Sequence, residues 1–390
     1  MNRLTQSRLS KILNYDDARQ AAKRALPRPV FDYVDGGTED ESTLARNTAA
    51  FRELTFQPRM ADWVADPDLS TTVVGQQISL PVITAPCGGA RLVHPDGDLG
   101  VAESALAAGT FHISSSSACY SLEEIIEHAP GPHWFQLYRL GGRPGMESLV
   151  HRAQAAGYKV IVATVDTQVG PKRERDWRNG FDNYDLRVNL RNTVRIGPKL
   201  APRPFWVARF LRDGMPFGLA NTAAMSPDGI PMPLSQLTAH DTQSPTWDEI
   251  AWVRDHFDGA VVVKGILSAS DARRAADLGC AAVVVSNHGG RQLEGAPATI
   301  EVLAEVVDAV GDRVDVLLDS GIRRGGDVIK ALAVGARAVL VGRPYLWGLA
   351  VGGTAGVAHV LELLRTEIKL TMQLLGCHAV RDLDRSWLRN

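Results

Sequence analysis

The apolar residues of this chain gather into eight short runs, and that repetition limits the possible folds more than any other feature. The runs span residues 81–85, 111–115, 134–138, 160–165, 260–264, 282–286, 314–319 and 338–342. Each has the length of a strand, is rich in Val, Ile, Leu and Ala, and is followed by a segment of helical pattern. Their starts lie roughly 20 to 35 residues apart, except for one gap of about 100 between the fourth and the fifth. Apolar runs without strict alternation are strands covered on both faces, which is the situation of a parallel sheet flanked by helices. Eight such units predict a closed (β/α)8 TIM barrel. An open doubly wound sheet alternates strand and helix in the same way. The count of eight and the absence of a G-x-G-x-x-G turn after the first run favour the barrel.

The remaining segments attach to that barrel. Residues 15–26 read as a helix that Asn14 is placed to cap and that Pro27 and Pro29 end. Residues 30–34 and 38–51 read as further helical pieces, so residues 1–80 form an N-terminal helical cap on a single domain, 1–390. The long gap, about 181–248, holds Pro202, Pro204, Pro216, Pro227, Pro231 and Pro233. It reads as an irregular insertion in the fourth βα loop, of the kind that serves as a lid. Its apolar piece, 205–211, is too short to cross a bilayer and is expected to pack on the barrel rim. Residues 356–375 have helical spacing and close the outer ring.

Composition excludes several classes of function. The chain is 45% hydrophobic and 22% charged, with a net charge of −2. With no long run of one sign, it offers no footprint for nucleic acid. The four cysteines (Cys87, Cys119, Cys280 and Cys377) lack metal-ligand spacing, so no metal site is expected and the pattern fits a reducing compartment. Neither a signal-peptide pattern nor a membrane-spanning run is evident. The expectation is a cytoplasmic protein, with peripheral attachment as its only form of membrane association.

In such barrels the reactive groups stand at the C-terminal ends of the strands. Read there, the sixth run breaks into Ser286-Asn-His-Gly-Gly-Arg291. A histidine suits proton abstraction near neutral pH, and an arginine three residues later can grip a carboxylate with two nitrogens. The other strand ends deliver Pro86-Cys87-Gly88, Ser114–Ser117, Gln136 with Tyr138, Thr164 with Asp166 and then Arg173, and Lys264. Taken singly, Asp166 also reads as a helix cap, Lys264 as a partner for Asp166, and Tyr138 as packing. Together, charged groups converging on one rim are costly unless they are used. The last two strands end in Asp319-Ser-Gly-Ile-Arg323 and Gly342-Arg343, glycine and arginine where barrels of this type bind phosphate. Phosphate binding there, beside Lys264 and a polar rim, fits FMN better than a nicotinamide dinucleotide.

On these residues, above all Ser286-Asn-His-Gly-Gly-Arg-Gln-Leu293, the chain resembles the FMN-dependent 2-hydroxy-acid oxidising family, from about residue 15 to the C-terminus. That family comprises glycolate oxidase, lactate oxidase, lactate monooxygenase, mandelate dehydrogenase and the flavin domain of yeast lactate dehydrogenase. The resemblance implies a (β/α)8 barrel with an N-terminal cap, and oxidation of an L-2-hydroxy acid to the 2-oxo acid. Electrons would pass to FMN and then to oxygen, a quinone or another acceptor. It implies His288 as base, Asp166 as its partner, and Arg291, Arg173 and Tyr33 as the carboxylate site. Tyr138 would meet the substrate hydroxyl, and Lys264 the N1/O2 edge of the flavin. Gln136, Thr164, Ser115 and Ser286 would hold the ring, and the backbone of Pro86, Cys87 and Gly88 would face N5. Asp319, Gly321, Arg323, Gly342 and Arg343 would bind the ribityl phosphate, and a homo-oligomer, a tetramer, is implied. Three departures stand out: Gly88 where many members carry alanine, which bears on monooxygenase-type oxidative decarboxylation, Ser117 where glycolate oxidase has tryptophan, and a fourth loop that is long and unlike that of the plant oxidases. With Gly88 no methyl would stand beside N5, leaving a small space.

Overall fold

A computed structural model describes residues 3–180, 190–215, 218–226, 228–232 and 244–389. Eight parallel strands follow one another in the order of the sequence: β1 (Val82–Thr84), β2 (Ile113–Ser115), β3 (Trp134–Leu137), β4 (Val160–Thr164), β5 (Ala260–Ile266), β6 (Ala282–Val285), β7 (Asp315–Leu318) and β8 (Ala338–Val341). Each pairs with its sequence neighbour, and β8 pairs with β1. A parallel bridge from Thr84 to His112 closes the ring. The structure is therefore the (β/α)8 barrel expected from the eight runs.

The lack of alternation in those runs has a direct cause. Along each strand, alternate side chains enter two different cores. Ile83, Ile113, Val162, Val262, Val284, Leu317 and Leu340 fill the barrel interior. Val82, Phe135, Ile161, Val263, Val285, Val316 and Val341 pack outward against the helices. Both faces are dry, so both must be apolar.

The N-terminal cap begins as expected, with helices Tyr15–Ala25, Arg28–Asp35 and Ser42–Glu53. Asn14 caps the first by accepting from the Asp17 amide at 3.0 Å. The cap is not wholly helical, however. Thr71–Val73 and Gln76–Ile78 form a hairpin, and Thr55–Phe56 pairs with Leu388–Arg389 at the other end of the chain. These pieces are two or three residues long, too short to show a period. The closing helix runs Thr354–Leu375.

The insertion is not irregular either. Its described residues hold helices Leu190–Leu200 and Pro204–Arg212 and a 3₁₀ turn, Ala220–Met225. Proline misleads here because Pro204 sits in the first helical turn, where a missing N–H costs nothing. The 205–211 piece packs on the rim as expected. Trp206 and Phe210 are buried and stacked at 4.7 Å, and Trp206 Nε1 donates to the Leu92 carbonyl at 3.0 Å. Among the described residues no helix is long and apolar enough to cross a membrane.

Candidate active site

The C-terminal ends of the strands surround a cavity of about 280 Å³. Fourteen residues picked out from the sequence line it: Tyr33, Pro86, Cys87, Gly88, Tyr138, Arg173, Lys264, His288, Arg291, Asp319, Gly321, Arg323, Gly342 and Arg343. Ser115, Gln136, Thr164 and Ser286 do not. They are fully buried and form a hydrogen-bonded layer behind the lining. Ser115 Oγ donates to Gln136 Oε1, Gln136 Nε2 donates to Thr164 Oγ1, and Ser286 Oγ accepts from Lys264.

The turn after β6 carries the central group. His288 sits at φ 58°, a left-handed conformation that costs a non-glycine residue about 1–3 kcal/mol and is concentrated at functional sites. Its amide donates to Ser286 Oγ at 3.1 Å. Gly290, at φ 73°, must lack a side chain, because a Cβ there would lie 2.7 Å from the backbone of Leu44 in the cap. The imidazole Nδ1 lies 2.9 Å from Asp166 Oδ1, and Nε2 is 3.5 Å from the Tyr138 hydroxyl. Burial pushes the Asp166 carboxyl up, but His288 and Lys264 outweigh it and hold the group below the usual carboxylate range. An ionised Asp166 accepts a hydrogen bond from Nδ1 and so orients Nε2 toward Tyr138. Tyr138 stays protonated, since burial and then Asp166 raise it.

Lys264 is 3% exposed and bonds Asp319 at 2.7 Å and Ser286 at 2.8 Å, so its partner is Asp319 rather than Asp166. Burial lowers its affinity for a proton, yet Asp319 and then Asp166 more than compensate, and it remains charged.

Cations crowd the other walls. The guanidinium groups of Arg291 and Arg173 lie 5.1 and 5.4 Å from the Tyr33 ring. The Tyr33 hydroxyl donates to the Gly88 carbonyl at 3.3 Å. Arg291 Nη1 donates to the carbonyls of Tyr33 and Gly36, tying the cap to the barrel rim. Burial, and then the charge of Arg291, lowers the Arg173 pKa. Asp176 stands 3.2 Å from Arg173. Arg343 donates to the carbonyls of Val34, Gly36 and Gly289. Among the described residues no carboxylate forms an ion pair with it, and burial followed by Arg323 and Arg291 brings its pKa down to about 9. Partly buried positive charge at Gly342, the N-terminal edge of helix Arg343–Gly352, suits an anion.

The space expected beside Gly88 is narrow. A Cβ at Gly88 would stand 3.1 Å from Ser117 Cβ and 3.3 Å from the Ser117 carbonyl oxygen, so the β2 loop would have to give by a few tenths of an ångström to admit it. Sequence alone does not show two loops from different strands meeting.

A family profile described as FMN-dependent dehydrogenase matches residues 22–390. The chain belongs to that family. It is 42% identical over 384 residues to an L-lactate oxidase of Nostoc sp., a match that covers 97% of this chain and 99% of the relative. It is 43% identical over 368 residues to a pre-mycofactocin synthase of Mycobacterium tuberculosis, covering 94% and 91%. A crystal structure of the monotopic membrane protein (S)-mandelate dehydrogenase superposes with a TM-score of 0.90 at 36% identity, covering 97% of this chain and 99% of that one. This family member is therefore an FMN-dependent oxidoreductase that acts on CH–OH donors. The donor set suits FMN: cations that, among the described residues, have no carboxylate partner at the β8 end, and the buried ammonium of Lys264 on the cavity wall.

One further group was not legible in the sequence. Asn221, in the insertion, is fully buried and hydrogen-bonds the loop after β2. An asparagine in a polar, proline-rich stretch carries no periodic signal.

Proposed function

We propose that this protein oxidises an L-2-hydroxy acid, lactate-like or larger, to the 2-oxo acid. The observation that carries the reading is the His288–Asp166 pair at 2.9 Å, with Tyr138 beside it and two guanidinium groups on the same cavity. Overall identity does not choose a substrate, because the lactate oxidase and the pre-mycofactocin synthase are almost equally similar. Arg173 and Arg291 do favour one: a small acid whose carboxylate answers two cations.

In this reading Arg291 and Arg173 grip the carboxylate, and Tyr138 hydrogen-bonds the hydroxyl. His288 Nε2 takes a proton from the substrate, and Asp166 stabilises the imidazolium that forms. FMN supplies the two-electron acceptor. Lys264 and the backbone of Pro86, Cys87 and Gly88 would hold its ring, with Asp319, Gly321, Arg323, Gly342 and Arg343 at its phosphate end and Ser115, Gln136, Thr164 and Ser286 supporting from behind. Oxygen or a quinone takes the electrons on. Monooxygenase-type decarboxylation is the alternative, and Ser117 narrows the space at Gly88 on which it draws.

Peripheral membrane contact is part of the proposal. Helix Pro204–Arg212 buries Trp206 and Phe210 but turns Phe205, 85% exposed, outward. A homo-oligomer would use the apolar face of Met60, Trp63, Leu370 and Leu374, whose segments are joined by Lys369–Asp66 and by Gln373 to the Ala65 carbonyl.

The deciding experiment is anaerobic. The yellow protein is mixed with a panel of 2-hydroxy acids, and bleaching of the flavin is followed. Bleaching by at least one acid, and not by its amide, is expected. No bleaching across the panel would defeat the proposal.

A further inference from the structure

We infer that Asn221 is a positioning residue, and that by holding the backbone of Ser115 and Ser116 it lets the insertion set the substrate wall at Ser117. The inference rests on the reading of the cavity as a 2-hydroxy-acid site. Asn221 is completely buried in the 3₁₀ turn Ala220–Met225. Its Nδ2 donates to the carbonyls of Ser115 and Ser116, each at 3.3 Å, and its Oδ1 accepts from the Leu122 amide at 2.9 Å. The adjoining Ala220 amide donates to the Ala118 carbonyl at 3.2 Å.

The loop leaving β2 is thus held at both ends by one short turn. The hydrogen bonds have no ready substitute, because these groups are buried away from water, and a buried amide or carbonyl left unpaired costs about 1–3 kcal/mol. Ser117 is the next residue along. It lines the cavity and presses against Gly88, where a Cβ would come within 3.1 Å of it. Fixing the carbonyls of 115 and 116 therefore fixes how far Ser117 reaches toward the substrate. The turn is braced from outside, where Arg152 donates to the Asn221 carbonyl at 2.8 Å and pairs with Glu123.

The test compares two substrates, a small aliphatic and an aryl 2-hydroxy acid, on the FMN-loaded enzyme. Asn221→Ala should let Ser117 retreat and raise the aryl-to-aliphatic ratio of kcat/KM by about fivefold, just short of the roughly tenfold and more that a whole methylene commands. Bound flavin, read from the visible spectrum, should be unchanged. Arg152→Met loosens the same turn from the surface and should move the ratio in the same direction by about twofold, as half-removed packing would. It decides the matter if Asn221→Ala does not fold. Equal losses for both acids, leaving the ratio at its wild-type value, would overturn the inference and make Asn221 a stability group only. Wild-type protein that no 2-hydroxy acid reduces would instead overturn the reading of the site beneath it.

Discussion

At His288 the decisive feature is the partner on the far nitrogen. Asp166 accepts from Nδ1, so Nε2 is the nitrogen that meets the Tyr138 hydroxyl and the cavity. His288→Gln should keep FMN bound, because the phosphate end lies elsewhere, but slow anaerobic flavin reduction by the ~10²–10⁴ of a lost general base. Stopped-flow reduction within tenfold of wild type would remove the residue from that role. Asp166→Asn should cost a similar factor without altering flavin content, since an amide cannot stabilise an imidazolium. Gly88 tests a different kind of constraint. Its missing Cβ accommodates Ser117, so Gly88→Ala overpacks the joint between two loops, at about 1–3 kcal/mol. The variant should raise KM and slow flavin reduction, and Ser117→Gly in the same chain should recover much of the loss. A variant altered only in reoxidation by oxygen would mean that Ser117 yields without affecting the substrate. His288 and Arg291 were legible because strand, glycine turn and charge fall within six residues. The Gly88–Ser117 contact was not, because it joins residues from separate strands.

Among the secondary-structure elements, the eight barrel strands were the easiest to read and the insertion the hardest. A strand dry on both faces must be apolar throughout, and that requirement is written in the composition of each run. Helix Pro204–Arg212 obeys a weaker rule: it buries one face on a loop and leaves the other exposed. Prolines before and within the insertion then conceal its period. The burial itself is specific, with Trp206 bonded to the Leu92 carbonyl and Arg91 paired bidentately with Asp213. The insertion thereby grips the loop that runs on from Pro86 to Gly88. Trp206→Ala should therefore cost about 3–5 kcal/mol as a large buried side chain. Phe205→Ser, one residue away and exposed, should change stability by less than about 0.5 kcal/mol. Denaturant unfolding of the two variants checks the contrast, and equal losses would mean that the helix is not seated as described.

For the molecule as a whole, the anion-binding end of the cavity is also a joint between cap and barrel. Three guanidinium groups, Arg291, Arg323 and Arg343, share the β8 side of the cavity, and Arg343 reaches only carbonyls. Those carbonyls belong to the N-terminal cap and to the turn after His288, so Arg343 ties the cap to the catalytic loop while its own charge is poorly compensated. Burial and the neighbouring cations bring its pKa to about 9, below the ordinary arginine value. The sign follows from this depression. The unfolded chain holds the proton more tightly, so the energetic cost is fully present at neutral pH, well below the folded-state value. An anion that binds there removes the cost at neutral pH and adds its own binding free energy to the stability of the folded state. Removing FMN should therefore lower Tm by several degrees, about what 1–2 kcal/mol produces in a chain of this size. Inorganic phosphate added to the flavin-free protein should restore part of the loss, although it carries none of the ring contacts. Thermal unfolding of both forms, with and without phosphate, at neutral pH makes the measurement. A flavin-free protein as stable as the holoprotein, and indifferent to phosphate, would show that the cations are settled by the protein's own carbonyls and that the cofactor plays no part in holding cap to barrel.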